Sequence, residues 1–478
     1  MKLSLSVLFS VPIATLVLSA CGGSAPRLRE TPAPDPSIAI IRANLWDGTG
    51  RGPVANAVTL VRGDRILCAG AAGECPVPAH ARIIDAHGQW LIPGLIDSHV
   101  HLLFLTQGSA TEELSLDLRD LLAQGVTTVR DMGTNPAELL SRVHALPAAP
   151  RVYAMQLVAG RRFFFNGFGG VRTARGVVFR QPPAMTMQAL GWTPILYNRD
   201  DDPDSVVAQA RDAGAMGLKL YAQLDLESVK KLVAAAHRAG MPVWGHAWVQ
   251  PASALEQATA GQDGVVHAAG IAGELFSPEE RDTLVKDGDL QMATAEVATV
   301  GSAHDPRISE ALDSMAKMGT FFEPTLDATR HSVAYFDSKR RHIPSEQEDY
   351  VRAGSGFGME VTREAVRRGV RISAGSDHVA YGPASERASL FGELRLLVDS
   401  IALTPGAALL AATRDAAKAI GGEPARRLGT IEAGHYADLV LLSKNPLADI
   451  DNLDSVEWVM KAGRIWRPGQ LRSGIAMK

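Results

Sequence analysis

The chain has 478 residues, of which 46% are hydrophobic and 21% are charged. This composition carries far more apolar material than a disordered chain does, and it predicts a globular protein. The net charge of −4 and the absence of a basic run argue against a nucleic-acid partner. Because a large single domain takes about 250 residues, the length leaves room for a second, smaller domain.

Residues 1–20 have the pattern of an export signal. Lys2 is followed by an apolar run that continues to Ala20, which is the order of charge and hydrophobicity found in signal peptides. The run ends in LSAC, which resembles the lipobox of bacterial lipoproteins, where the cysteine is acylated. We therefore predict a lipoprotein signal peptide over 1–20 and lipidation of Cys21. An ordinary secretory signal or a short membrane anchor is the alternative.

Gly22, rather than Asp, follows the cysteine, and by the same resemblance this favours a lipid anchor in the bacterial outer membrane, facing the periplasm or the cell surface. Residues 21–37 are rich in Gly, Ser and Pro and are predicted to form a flexible tether. In an oxidising compartment Cys68 and Cys75, which flank a Gly-rich loop, are close enough in sequence for a disulfide. Two unpaired small apolar side chains fit the sequence equally well.

Short strand-like segments stand at both ends of the remaining chain. Residues 38–92 and 425–473 are rich in β-branched residues and broken by Gly-containing turns. Since chain termini often lie close together, we expect these two segments to form one small β-sandwich domain.

Residues 93–424 alternate between apolar runs of four to seven residues and longer helical stretches. Including the run that ends at His101, eight such runs are present, and this alternation predicts a parallel sheet closed into a (β/α)8 TIM barrel. SVKKLVAAAHRAG (228–240) and TPGAALLAATRDAAKAIGG (404–422) are each predicted to be one amphipathic helix closed by glycine. Residues 159–203 and 270–318 break the rhythm and are predicted to be long functional loops.

Polar residues end several of these apolar runs. In PGLIDSHVH, His99 and His101 are separated by one residue, so on a strand both point to the same side. One such pair among 13 histidines is weak evidence, but it stands at a strand end, where barrel enzymes carry out their chemistry. Four further residues stand in or directly after other runs: Lys219, His246, His267 and Asp377.

Each of these residues also has a structural interpretation. A strand lysine can pair with a carboxylate, a histidine can be a hydrogen-bonded core residue, and an Asp after a strand can cap the next helix. Together they favour a metal site, because strand ends of a barrel converge on one mouth and nitrogen and carboxylate ligands suit Zn²⁺.

As a set, the motifs PGLIDSHVH, GVTTVRDMG, GLKLY, VWGHA, GVVHAAG, AGSDH and GTIEAGHYADLVLL resemble the amidohydrolase superfamily, in its imidazolonepropionase-like and Xaa-Pro dipeptidase-like branch, over residues 38–470. The resemblance implies a carboxylated Lys219 that bridges two divalent ions, most simply Zn²⁺. His99, His101 and Asp377 would complete one metal, and His246 and His267 the other. It also implies hydrolysis by a metal-bridging hydroxide, with Asp377 as general acid and base.

Two further interpretations concern residues near this site. Tyr221 lies two residues after Lys219, on the same side of the strand, and could contact the substrate or be a core aromatic. Arg130 and Asp131 are expected to form a buried ion pair that shapes the mouth.

The chain departs from the family pattern in its loops. Val171 stands where relatives have a loop histidine. On either side of His267, Val266 stands where relatives have Glu and Ala268 where they have Gly. Arg161, Arg162 and Arg172 could contact an acidic substrate group, although solvated loop arginines are more common.

The leading hypothesis is hydrolysis of an amide bond in a dipeptide or N-acyl amino acid. The substrate would be a small molecule, and the membrane would be contacted only through the lipid anchor; a homo-oligomer cannot be read from one chain. The first alternative is a cyclic amide or imide hydrolase or a deaminase. Val249 stands where deaminases of this superfamily carry Glu, which argues against deamination. The second alternative is a non-catalytic, ligand-binding lipoprotein.

Overall fold

A computed structural model describes residues 37–103, 110–133, 135–161, 169–173, 176–180, 193–286, 301–331, 345–379 and 387–473. The predicted signal peptide, the lipidation site Cys21 and all but the last residue of the predicted tether lie outside these residues. None of the helices within the described ranges combines the length and apolar composition that a membrane span requires.

Twenty strands are described. In chain order they are β1 Ile38–Leu45, β2 Val54–Arg62, β3 Arg65–Ala71, β4 Arg82–Asp85, β5 Trp90–Pro93, β6 Leu95–His101, β7 Val126–Asp131, β8 Arg151–Gly160, β9 Gly169–Thr173, β10 Gly176–Arg180, β11 Ile195–Tyr197, β12 Gly217–Leu220, β13 Val243–His246, β14 Gly264–Val266, β15 Phe321–Glu323, β16 Arg371–Ile372, β17 His378–Val379, β18 Leu439–Leu442, β19 Val456–Lys461 and β20 Arg464–Trp466.

The described α-helices are Ala110–Ala123, Pro136–His144, Pro203–Asp212, Leu226–Arg238, Ala254–Thr259, Pro278–Lys286, Pro306–Met318, Ser345–Arg367, Leu390–Asp399, Pro405–Ala411, Arg414–Ile420, Pro424–Arg427 and Pro468–Arg472. Two short 3₁₀ helices, Ala268–Leu275 and Ile450–Asp454, accompany them.

Strands from the two ends of the chain share one mixed sheet of eight strands. Its order is β20-β19-β18-β5-β1-β2-β3, with β4 also paired to β1. The junction between the two chain ends is the antiparallel pair β5–β18, in which Leu91 faces Leu441. At the far edge a disulfide joins Cys68 to Cys75, whose Cα atoms are 5.8 Å apart, so the pairing that the sequence left open is present.

The middle of the chain forms a second sheet of ten strands, all paired in parallel, with helices between most successive strands. The order is β16-β15-β14-β13-β12-β8-β7-β6-β17, and β11 also pairs with β8. Parallel neighbours require crossover connections, and helices provide them here. This is an α/β fold with a parallel half-barrel sheet, in agreement with the alternation seen in the sequence. The sheet places the C-terminal ends of its strands at one edge.

The helix after β12 shows how the sequence sets these elements. The Asp225 side chain accepts the N–H of Ser228 at 2.8 Å and caps the first turn. Val229, Leu232 and Ala236 follow at helical spacing and are buried. Gly240, with φ of 71°, ends the helix as the sequence predicted.

Three expectations about the middle of the chain are wrong. Residues 404–422 form two helices rather than one, because Thr413 leaves the helical conformation (φ −134°, ψ −97°) and its buried hydroxyl donates to Leu409 O. Residues 270–318 are not a long loop, since the helix Pro306–Met318 begins at a Pro capped by Asp305 and ends at the left-handed Gly319. The stretch 159–203 likewise contains the β9–β10 hairpin and β11.

Candidate metal centre

The first two predicted ligands lie at the end of β6. All seven residues of this strand are buried. The Nε2 atoms of His99 and His101 are 3.3 Å apart, as expected for alternate residues that point to the same side of a strand.

Asp377, directly before β17, completes a triangle with these histidines. Its backbone N–H donates to His99 O at 2.9 Å, which holds the two chain segments side by side. The Asp377 Oδ1 atom lies 3.3 Å from the Nε2 of each histidine. The side chain is 22% exposed, whereas His99 is fully buried, so the carboxylate stands at the open side of the site.

The edges of this triangle fit a metal ion. Ligands held tetrahedrally at about 2.0–2.1 Å from Zn²⁺ are about 3.3–3.4 Å from one another. The three donor atoms of His99, His101 and Asp377 therefore already have the separation of one face of such a tetrahedron. Two neutral nitrogens and one carboxylate oxygen are a common donor set for a divalent ion.

Lys219 lies on β12, a central strand of the parallel sheet, where its neighbours are Leu157 of β8 and Trp244 of β13. The residue is completely buried, and its Nζ has no hydrogen-bond partner among the described residues. Burial lowers the pKa of this amine to about 7. An unpartnered buried amine is costly, so this lysine is placed for chemistry or for a missing partner rather than for stability.

The remaining two histidines lie at neighbouring strand ends. His246 ends β13 and His267 follows β14, and their ring centroids are 4.7 Å apart. The ring of His267 is also 5.1 Å from that of His99, and its Nδ1 is 3.8 Å from Asp377 Oδ2. The structure thus brings the six predicted residues to one edge of the sheet. Tyr221 borders them, with its ring 4.2 Å from that of His246.

Electrostatics favours neutral rings and a charged carboxylate at this edge. Burial lowers the pKa of His99, His246 and His267 well below the usual value, so these imidazoles are neutral, the form that binds metals. Burial alone would raise the pKa of Asp377, but the neighbouring imidazoles outweigh it, and the net pKa lies well below the usual range.

Sequence reasoning missed Glu323 at the end of β15. This carboxylate is fully buried and lies 2.9 Å from His99 Nδ1. Burial raises its pKa, and the guanidinium of Arg130 and the hydroxyl of Ser98 oppose that shift. The available signal was the run TFFEPTL, in which an acidic residue ends an apolar strand like the other site residues.

The expected ion pair between Arg130 and Asp131 is wrong in its partner. Arg130 Nη2 lies 3.1 Å from Glu323 Oε2, while the oxygens of Asp131 accept the backbone N–H groups of Leu102 and Gly133. Adjacent strand residues point to opposite faces, which explains why neighbours in sequence do not pair here.

The loop residues contribute little to the described site. Arg161 is exposed and pairs with Asp201. Arg162 lies outside the described residues, as do the side chains of Val171 and Arg172, whose backbone belongs to β9. The expected contacts of these arginines with an acidic substrate stay predictions.

Comparison with known proteins decides the family. The profile of the amidohydrolase family matches residues 90–466, most of the chain. The chain belongs to the amidohydrolase family. It is 28% identical over 390 residues to an imidazolonepropionase of Symbiobacterium thermophilum, a match that covers 76% of this chain and 77% of that enzyme. The expected family is thereby confirmed and, at the level of the family, so is the expected class of enzyme, a hydrolase acting on carbon–nitrogen bonds.

Two further matches show the range of this amidohydrolase's relatives. An uncharacterised protein of Mycobacterium tuberculosis is 36% identical over 119 residues, which cover 23% of this chain but only 18% of that protein. The chain therefore matches less than a fifth of that relative's length. The crystal structure of a Xaa-Pro dipeptidase with bound methionine has a TM-score of 0.66 at 21% identity, covering 90% of this chain and 100% of the other. At this identity the likeness establishes a shared fold.

Proposed function

We propose that this amidohydrolase is a metal-dependent enzyme that hydrolyses an amide bond in a dipeptide or an N-acyl amino acid. The observation that carries the proposal is the triangle of donor atoms from His99, His101 and Asp377, with edges of 3.3 Å. The imidazolonepropionase and Xaa-Pro dipeptidase relatives support amide-bond chemistry.

The other site residues fit a second ion. In the proposal His246 and His267 would hold it, and Lys219, carboxylated on Nζ, would supply a ligand to both ions, most simply Zn²⁺. The unpartnered Nζ and the pKa of about 7 support this, because an uncharged amine can attack CO₂ and form a carbamate with loss of a proton. The carbamate oxygens would remove the cost of the orphaned buried amine. Ions bound there supply Lewis acidity and a water molecule of lowered pKa.

The side chains of the site then handle protons and orientation. Asp377, charged and partly exposed, accepts a proton from the attacking water and donates it to the leaving amine. Tyr221 lies beside His246, and in the proposal its hydroxyl would orient the substrate carbonyl or a carboxylate.

The competing functions have weaker support. A deaminase of this superfamily would carry an acid at the position of Val249, and Val249 is a fully buried apolar residue. A cyclic amide or imide would use the same groups as a dipeptide, so a substrate screen has to include both. A ligand-binding protein without catalysis has no need of the orphaned Lys219 amine.

We also propose that the parallel sheet closes into a barrel, that the mixed sheet belongs to a β-sandwich domain, and that the protein is exported. The strands β16 and β17 at the two ends of the parallel sheet are separated only by residues 373–377, which supports closure of eight strands into a (β/α)8 barrel over 93–424. One apolar cluster contains Ala57 of β2 and Trp458 of β19, which supports a β-sandwich of 38–92 and 425–473. The LSAC sequence at Cys21 and the Cys68–Cys75 disulfide support export as an outer-membrane lipoprotein.

The test combines metal analysis with a substrate library. We expect about two metal ions per purified chain and hydrolysis within a panel of dipeptides, N-acyl amino acids and cyclic imides. Asp377→Asn should keep the fold but lose at least about 100-fold in kcat, the scale of general acid–base catalysis. Asp313→Asn is the matched control, because Asp313 is 60% exposed and pairs with Arg368 on the surface. A metal-free protein that is inert on the whole panel would contradict the proposal.

A further inference from the structure

The buried carboxylate of Glu323 has one oxygen committed to His99. Its Oε1 lies 2.9 Å from His99 Nδ1, and neither side chain is exposed. The two nitrogens of an imidazole lie on opposite sides of the ring, so this contact leaves Nε2 directed at His101 and Asp377, 3.3 Å away in each case.

The second oxygen of Glu323 is held just as firmly. Its Oε2 accepts from Arg130 Nη2 at 3.1 Å and from the Ser98 hydroxyl. Arg130 is itself fixed, since it donates to Ser98 O at 2.7 Å and its guanidinium lies 3.9 Å from the centre of the Trp244 ring. Both oxygens are therefore in contact with protein groups, Oε1 with His99 and Oε2 with Arg130 and Ser98, and Glu323 is not free to bind an ion.

We infer that Glu323 is a positioning residue that holds the ring proton of His99 on Nδ1 and so leaves the Nε2 lone pair free for a metal ion. Histidines that bind metals commonly donate their other ring N–H to a carboxylate, which sets both the tautomer and the ring orientation. Arg130 favours the ionised, accepting form of this carboxylate, because its guanidinium is positively charged and can only donate. The inference rests on the proposed function, in which His99 is a ligand.

Glu323→Gln separates this role from simple packing. Because Arg130 needs an acceptor, the amide oxygen of the glutamine turns towards Arg130 and its NH₂ group towards His99. Nδ1 of His99 must then accept, and the ring proton moves to Nε2, where it blocks metal binding. We expect the dissociation constant for Zn²⁺ to rise about 10–100-fold, the usual effect of losing such a partner.

Two measurements test this. Long-range ¹H–¹⁵N spectra of the metal-free protein, with the His99 signals assigned by their loss in His99→Gln, should show Nδ1–H in the wild type and Nε2–H in Glu323→Gln. Competition with a chromophoric chelator gives the affinity for Zn²⁺. Glu393→Gln is the matched control, because Glu393 is equally buried but binds the N–H of Asp327 rather than a histidine; it should leave both readouts unchanged.

An Nε2–H tautomer in the wild type, or wild-type zinc affinity in Glu323→Gln, would overturn the inference. So would a loss of affinity with the tautomer unchanged, which is the result of a merely structural role. If Glu323→Gln does not fold, Glu323→Asp keeps the carboxylate, and it should retain the Nδ1–H form. A wild-type protein that binds no Zn²⁺ would contradict the proposed function, whereas the metal-free spectra would still decide the role of Glu323.

Discussion

The carboxylate of Asp97 accepts both the backbone N–H of Ser376, at 2.9 Å, and its hydroxyl, at 2.5 Å. Both residues are fully buried. Asp97 precedes the His99–His101 pair on β6, and Ser376 directly precedes Asp377. This pair of hydrogen bonds therefore fixes the two chain segments that provide the triangle of donor atoms.

Ser376→Ala should lower the free energy of unfolding by about 1–3 kcal/mol, because the buried Asp97 carboxylate loses a hydroxyl donor that it cannot replace with water. Chemical denaturation of the metal-free protein measures this. Ser443→Ala is the control, since among the described residues that hydroxyl makes only an exposed contact with Ser455 O at 3.4 Å. Its effect should stay within about 0.5 kcal/mol. Equal effects of the two substitutions would contradict the role of the pair.

Gly375→Ala should disrupt the metal centre. A β-carbon at residue 375 would lie 2.5 Å from Cβ of His99 and 2.7 Å from Cδ of Glu323, so His99 would have to move. We expect a loss of zinc affinity of about tenfold or more and a lower unfolding temperature.

The control for this substitution is Gly356→Ala. Gly356 is an exposed residue of the helix Ser345–Arg367, and a β-carbon there meets no atom within 4 Å among the described residues. Alanine should stabilise that helix by about 0.5–1 kcal/mol and leave zinc affinity unchanged. A Gly375→Ala protein with normal zinc affinity would show that the close packing around His99 is not needed.

Lys219→Met should separate stability from metal binding. Methionine has a similar length but no buried amine to leave unpartnered. The free energy of unfolding of the metal-free variant, measured by denaturant titration, should therefore exceed that of the metal-free wild type by about 1–3 kcal/mol. The same variant should retain less metal after dialysis and lose hydrolysis.

The control for Lys219→Met is Lys231→Met, at a lysine that is 41% exposed and donates to Arg199 O. It should change neither the free energy of unfolding nor the metal content by much.

In Lys219→Ala, added short-chain carboxylic acids should restore part of the metal content and activity, since they can take the place of the carbamate. Full metal content in Lys219→Met would rule out a bridging role.

Glu393 should make stability depend on pH. Burial raises its pKa to about 8, against 4.5 in the unfolded chain. Between pH 4.5 and about 8, therefore, Glu393 keeps its proton in the folded protein but has lost it in the unfolded chain. Stability from this group is fully present below pH 4.5 and is lost as the pH rises towards 8.

Glu393→Gln removes this dependence, so the variant should gain stability over the wild type as the pH rises from 5 to 8, by about 1.4 kcal/mol for each pH unit. Denaturation curves across this pH range measure the difference in the free energy of unfolding. The two proteins should be equally stable near pH 5. A constant difference between the two proteins at every pH would mean that Glu393 is ionised in the folded state.

Much of the site could be predicted because its residues interrupt apolar strands. His99, Lys219 and Asp377 each place a polar group where periodicity demands burial, and the family motifs supplied their common purpose. Glu323 has the same position at a strand end, but its role depends on Arg130, which lies 193 residues away in the sequence. Such long-range pairing has no local signal.

The break at Thr413 was missed for a related reason. The sequence around it has strong helical propensity, yet Thr413, which is buried and whose hydroxyl donates to Leu409 O, leaves the helical conformation. Tertiary packing overrides propensity in such cases. The pairing of Cys68 with Cys75 could be listed as an option but not chosen, because it depends on a Cα separation that only the fold sets.

The pairing of β5 with β18 fixes when the mixed sheet can form during synthesis. Strands β1 to β5 emerge from the ribosome first, but Leu91 meets its partner Leu441 only after the whole parallel sheet has been made. Until then the edge of β5 stays open to pairing with other chains. A truncated chain that ends before residue 439 should therefore favour aggregation over a partly active product. In the full chain, the parallel sheet has to fold while the mixed sheet still lacks β18.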